Sequence, residues 1–123
     1  MPVNEAQFVA KPWGHEEIFA RTDRYVGKIL FIRAGEALSL QYHRRKEETL
    51  RVLEGRMKLL AGSDADRLEE YVLGPGDTFH VPPGTIHRMI GDEDTLVLEV
   101  STPELDDVVR LEDRYGREGT SAP

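Results

Sequence analysis

No part of this chain sustains the 3.6-residue apolar repeat of a long helix. Short apolar runs and alternations recur instead, cut apart by Gly, Pro and Asp. Residues 15–20, 25–33, 38–43, 49–54, 56–61, 69–73, 78–81, 86–90 and 95–101 each read as a strand. So many short strands with turn residues between them predict an all-β sandwich or barrel. The run from Lys28 to Arg33 is apolar on both faces and is expected between layers. Glu54-Gly55 signals a tight hairpin, with Gly55 supplying a positive φ. Residues 62–66 and 91–94 read as polar connections. One segment, residues 105–114, reads as a short C-terminal helix, because Asp106 and Asp107 sit near its start and Arg110 and Arg114 near its end. Gly116 would stop that helix, and residues 117–123 are expected to form a loose tail.

A length of 123 residues suits one domain, so residues 1–123 are expected to fold as a single unit around a barrel core spanning about residues 11–103. A formal net charge of −7 argues against nonspecific nucleic-acid binding. It leaves room for a small anionic ligand in a local basic pocket. With no cysteine, disulfides and thiolate metal sites are excluded, so any metal must be held by imidazole, carboxylate or amide oxygen. No run approaches the roughly 18 apolar residues that cross a bilayer, and the N-terminus lacks a basic stretch followed by an apolar one. The expectation is a cytoplasmic protein with no membrane partner.

Four side chains then suggest a metal centre. Gln41 and His43 are two apart on a predicted strand and so share a face. Glu48 opens the next strand, and His87 follows Pro82-Pro83-Gly84. A closed barrel can bring them together, and two imidazoles, a carboxylate and an amide oxygen suit one divalent ion of Mn, Fe, Co, Ni or Zn at about 2.0–2.2 Å. Glu47 is the rival to Glu48, since a one-residue change of register exchanges them.

The same residues carry a resemblance. Gly35, Gln41-Tyr42-His43, Glu48 and Gly55 resemble the first cupin motif, with Gln in place of its usual first His. Gly76 and Pro82-Pro83-Gly84-Thr85-Ile86-His87 resemble the second, with Gly91 at its usual closing Asn. Lys11-Pro12-Trp13-Gly14, the run from Arg33 to His43, His87-Arg88 and the stretch from Asp106 to Arg117 are similar to the cupin domain of type II phosphomannose isomerases. That family also has Gln before the His. Its members usually carry a nucleotidyltransferase domain as well, which these residues do not contain, and Arg44-Arg45 and Lys46 stand where the family often has further histidines and an Arg.

The resemblance implies a double-stranded β-helix (jelly-roll barrel), and a metal-dependent aldose–ketose isomerase acting on a sugar phosphate, with mannose 6-phosphate and fructose 6-phosphate the leading pair. A homodimer paired through sheet edges is expected, as cupins often form. The reaction needs a base near C2 and cations for the phosphate. Arg88, Lys28 and His80 are the candidate catalytic residues, and Lys46, Arg44, Arg45 and Trp13 the candidate substrate contacts. Each has a plainer alternative. Arg44, Arg45 and Lys46 form a solvated loop, His80 packs on the barrel, and Trp13 belongs to the core or a dimer interface. Two readings from other classes stay open: a non-haem metal dioxygenase, because two His and one Glu form its facial triad, and a metal- or sugar-binding module without turnover.

Overall fold

The computed structural model describes residues 3–120. The strands are β1 (Gln7–Lys11), β2 (Gly14–Arg21), β3 (Val26–Ile32), β4 (Leu40–Tyr42), β5 (Glu48–Glu54), β6 (Met57–Gly62), β7 (Glu69–Leu73), β8 (Thr78–Val81), β9 (Ile86–Gly91), β10 (Thr95–Ser101), β11 (Val109–Glu112) and β12 (Gly119–Thr120). They form two antiparallel six-stranded sheets, in the orders β1-β2-β3-β10-β5-β8 and β12-β11-β4-β9-β6-β7. This is the jelly-roll arrangement that the cupin resemblance implies.

Period-two alternation decides which side chains enter the space between the sheets. Leu30 and Ile32 of β3, Leu50 and Val52 of β5 and Val97 of β10 enter from one sheet; Met57, Leu59 and Ala61 of β6 and Met89 of β9 enter from the other. These residues exclude water and supply the hydrophobic stabilisation, about 1.5–3 kcal/mol for each fully buried large apolar side chain. Gly55 turns the chain from β5 into β6 at φ 85°, and a Cβ there would lie 2.3 Å from the Asp94 carbonyl oxygen. The hairpin therefore requires glycine twice, for the dihedral and for the close approach.

β2 to β10 correspond to the nine predicted strands, and the structure adds three strands and removes a helix. Among the described residues there is no helix. Residues 105–106 form a turn, and residues 109–112 are β11, paired through Val109 with Tyr42 and through Arg110 with Gln41. The helix reading fails because the acidic pair it relied on serves another purpose: Asp107 accepts backbone N–H groups from residues 44–46. β4 also offers an edge, which the following segment satisfies as a strand. The expected loose tail is partly built. Arg117 is tied to Asp113 and Gly119 pairs with Arg110, while residues 121–123 lie outside the described residues.

The expectation for Lys28–Arg33 is also corrected. Lys28, Leu30 and Ile32 are buried, whereas Ile29 and Phe31 are only half-buried on the outer face. There Phe31 stacks on His15 at 5.2 Å, and Phe8 lies 5.4 Å from the same ring.

Candidate metal centre and interior cavity

β5 starts at Glu48, and alternation sends Glu48, Leu50 and Val52 inward. Glu47 therefore points out. It is exposed and meets His80 Nε2 at 2.6 Å. His43 directly follows β4, and His87 is the second residue of β9. β4 and β9 are paired through Gln41 and His87, so the two imidazoles approach each other, with ring centroids 5.2 Å apart. The result is a buried cluster of His43, Glu48 and His87 whose ligand atoms all lie within 4.8 Å of one another.

Backbone carbonyls orient both rings. The carbonyl oxygen of Asp107 lies 2.6 Å from His43 Nδ1, and that of Thr85 lies 2.9 Å from His87 Nδ1. A carbonyl only accepts, so Nδ1 carries the proton in each ring and Nε2 keeps its lone pair. Both Nε2 atoms turn toward Glu48 Oε1, at 3.5 Å from His43 and 3.1 Å from His87. The two Nε2 atoms and Glu48 Oε1 are buried without a hydrogen bond, whereas Glu48 Oε2 faces the Lys46 ammonium at 3.1 Å. Buried polar atoms without hydrogen bonds are costly. Here they converge on one point, with imidazole tautomers set for ligation by carbonyl partners behind them. The donor set, two neutral imidazoles and a carboxylate, fits a divalent ion of the first transition series.

Asp107 is the residue that sequence reasoning missed. Its carboxylate accepts the backbone N–H groups of Arg44 at 3.0 Å, Arg45 at 2.6 Å and Lys46 at 2.8 Å, while its carbonyl holds His43. Burial alone would raise its pKa, but the three amide donors reverse this and hold it below the usual carboxylate range. A single residue thus shapes the loop between His43 and Glu48. The available signal was an acidic pair in a segment without helical apolar periodicity.

Beside the cluster lies a cavity whose lining includes Gln41, Ser39, His43, Lys46 and Glu99. Gln41 is half-buried there, and its Oε1 accepts from the Ser39 hydroxyl at 2.8 Å. Lys46 is buried, with Nζ 3.1 Å from Glu48 Oε2 and 3.1 Å from Glu99 Oε2. Burial would lower its pKa, but the two carboxylates outweigh that and raise it. Glu48 responds in the opposite sense. Burial pushes its pKa up, yet the Lys46 ammonium and the two imidazoles hold it well below the usual range. For His87, burial lowers the pKa and Glu48 reverses this, with a net shift upward.

The predicted site residues divide by face. Lys28 lines the cavity, buried and bonded to Glu16 at 3.2 Å, and Trp13 lines it too while packing in the core. Arg88 does not reach the cavity. As the neighbour of His87 on a strand it points to the opposite face, where Nε donates to the Leu38 carbonyl at 2.9 Å and Nη1 lies 3.9 Å from Glu112. His80 is on the outside with Glu47. Arg44 and Arg45 are exposed, and they line an outer depression with Arg21 and Asp106. Lys11, Glu16, Glu99, Arg110 and Arg117 also line the cavity, although the sequence reading gave none of them a role in the site.

Comparison with known proteins places these observations in a wider set. The model of the cupin domain matches residues 29–101. The chain is 34% identical over 114 residues to mannose-1-phosphate guanylyltransferase of Escherichia coli (strain K12), covering 89% of this chain and 23% of that protein. It is 30% identical over 114 residues, with the same coverages, to xanthan biosynthesis protein XanB of Xanthomonas campestris pv. campestris. The chain thus spans about a quarter of the length of the curated relatives it matches. Among solved structures, the capsular polysaccharide assembling protein CapF from Staphylococcus aureus superposes with a TM-score of 0.75 at 20% identity, covering 87% of this chain and 34% of that one. That likeness is one of fold.

Proposed function

Because the chain belongs to the cupin domain family, we propose that His43, Glu48 and His87 hold one divalent metal ion and that the adjoining cavity isomerises a sugar phosphate between its aldose and ketose forms. Mannose 6-phosphate and fructose 6-phosphate are the first pair to test. The observation that carries the proposal is the convergence of two carbonyl-oriented imidazoles and a carboxylate, one of which, His43, also lines a cavity that holds the buried cations Lys28, Lys46 and Arg110. The relatives named for mannose-1-phosphate guanylyl transfer and xanthan biosynthesis support a mannose-related substrate.

In this reading Gln41 completes the ligand set from the cavity wall. A divalent ion held there supplies Lewis-acid stabilisation of negative charge on the O1 and O2 oxygens of the substrate. The chain's own residues do the rest. Isomerisation moves a proton between C2 and C1 through an enediolate, so it needs a group that accepts the proton and returns it one carbon away. Glu99 and Glu16 are the carboxylates lining the cavity, each held by a lysine, Glu99 by Lys46 and Glu16 by Lys28. They take the base role that His80 and Glu47 cannot reach. Lys46 and Lys28 place positive charge beside the developing oxyanion, in surroundings where burial strengthens it. Trp13 walls the cavity and excludes water.

A second reading rests on the same donor set. Two His and one Glu also suit a non-haem metal oxygenase, but the cluster of cations in the cavity has no purpose in oxygen activation. The deciding experiment follows C2-deuterated mannose 6-phosphate by NMR with metal-loaded protein. Isomerisation predicts loss of deuterium to solvent or its transfer to C1, dependent on the metal. Retention of all deuterium across several sugar phosphates and divalent metals removes the isomerase reading, and oxygen uptake would then favour the alternative.

A further inference from the structure

The two oxygens of the Glu48 carboxylate have different neighbours. Oε1 lies 3.5 Å from His43 Nε2 and 3.1 Å from His87 Nε2, so it shares their point of convergence. Oε2 lies 3.1 Å from the Lys46 ammonium, which is also 3.1 Å from Glu99 Oε2. Lys46 is fixed at both ends. Its backbone N–H donates to Asp107 Oδ2 at 2.8 Å, and its Nζ donates to Glu99 at 3.1 Å. Among residues 44–47 it alone is buried, since Arg44, Arg45 and Glu47 are exposed. Glu99 is buried as well, and the register of β10 against β5 sets it opposite Leu50, the inward residue that follows Glu48. One ammonium therefore reaches both carboxylates, and a side chain tied in this way has little freedom to leave Oε2. Buried ion clusters seldom stabilise a fold more than apolar packing of the same volume does. Lys46 therefore calls for a role beyond holding the sheets together, and its place beside a ligand carboxylate supplies one.

We propose that Lys46 is a positioning residue for the metal centre: by occupying Glu48 Oε2 it limits that carboxylate to ligation through Oε1, and so keeps free a coordination position that a chelating carboxylate would take. Carboxylates bind metal ions through one oxygen or through both. With Oε2 unengaged, a divalent ion draws in both oxygens, because each adds a favourable Coulomb contact. With Oε2 held by an ammonium, the second contact requires breaking a buried, charge-assisted hydrogen bond. The position kept free is the one a substrate needs, since Lewis-acid stabilisation requires substrate oxygens to reach the ion. The cavity that would supply that substrate is lined by His43 and by Lys46 itself. The ammonium also repels the ion, so the same ligands bind metal less tightly with Lys46 present than without it. The role of Lys46 rests on the metal reading above and deepens it, because control of ligation falls to a residue that is not itself a ligand.

The test compares the wild-type chain with Lys46→Met, Glu99→Gln and the double variant, each stripped with chelator and titrated with Zn or Co at pH 8. Calorimetry reads affinity. X-ray absorption by the bound ion reads ligation, because a chelating carboxylate brings its carbon closer to the metal than a single-oxygen one does. In wild type Glu48 should ligate through one oxygen. Lys46→Met should ligate through both and bind metal about tenfold tighter or more, from the added oxygen and the lost repulsion. Glu99→Gln leaves Lys46 on Oε2 and should keep the wild-type ligation. The double variant separates contact from charge. Its net charge equals that of wild type, yet Oε2 is free, so Glu48 should chelate as it does in Lys46→Met. It also removes the uncompensated pair of carboxylates, so it reports on ligation even where Lys46→Met alone fails to fold. Single-oxygen ligation in either folded Lys46 variant overturns the role of Lys46. So does a metal affinity that folded Lys46→Met leaves unchanged or weakened, and so does chelation by Glu48 in wild type. Failure of all four proteins to bind a divalent metal removes the metal centre itself and this role with it, a result distinct from metal bound with the wrong ligation.

Discussion

Replacing Lys46 by Met tests the electrostatics of the metal end. Lys46 is buried between two buried carboxylates, 3.1 Å from each. Met preserves most of the side chain's length and removes only the charge. Glu48 and Glu99 then face each other as uncompensated buried anions, and breaking a buried ion pair in this way costs about 3–5 kcal/mol. For a domain of this size a kilocalorie corresponds to roughly 4 °C in Tm, so chelator-stripped protein should melt about 10–20 °C lower at pH 7. The pH dependence has a definite sign. Lys46 has a raised pKa, so its contribution is complete at neutral pH and is lost only far above it. Without it Glu48 loses the ammonium that holds its pKa down, and protonating Glu48 relieves the repulsion, so the deficit should shrink as pH falls from 7 toward 5. Two further changes should rescue the variant. Glu99→Gln removes one of the orphaned charges, and a divalent ion restores positive charge beside Glu48, contributing about 2.7 kcal/mol at a hundredfold excess over Kd. Thermal denaturation followed by circular dichroism, with and without metal and at several pH values, reads all of these. A loss below about 1 kcal/mol, equal at pH 5 and 7, would refute a strongly coupled buried triad, since that is the range of an exposed pair.

Register is tested by comparing adjacent glutamates. Glu48→Gln should abolish or strongly weaken metal binding by isothermal titration, whereas Glu47→Gln, which loses only an exposed contact with His80, should leave metal content unchanged and stability within about 1 kcal/mol. His43→Ala together with His87→Ala should eliminate the bound metal in elemental analysis; full occupancy in that variant would remove the site. Metal affinity should fall as pH drops, because ligation needs neutral imidazoles. Since Glu48 outweighs burial and raises the His87 pKa above its ordinary value, the fall should begin above pH ~6.5, and an affinity constant between pH 8 and 6 would contradict it.

Much of this protein was legible in its sequence because the controlling interactions are local. Period-two alternation places Gln41 and His43 on one face and requires that one of Glu47 and Glu48 enter the barrel; the structure selects Glu48, in step with Leu50 and Val52. Turn residues separate the nine strands from β2 to β10, and Gly55 marks its hairpin by a conformation other residues avoid. The same alternation, applied to β9, already implies that Arg88 must leave the face that His87 occupies.

Only the tertiary structure decided the rest, because it depends on which strand lies across from which. The segment holding Asp106, Asp107 and Arg110 has end charges that suit a helix, but an unpaired edge at β4 draws it into a sheet. Asp107 then meets three amides more than 60 positions away in sequence, which no local pattern encodes. The carboxylates Glu16 and Glu99 pair with Lys28 and Lys46 across the barrel interior, at separations of 12 and 53 positions. Lys11, Arg110 and Arg117 are ordinary surface-type residues in sequence. They become a cationic wall only because β1 and β11, from the two ends of the chain, border the same cavity.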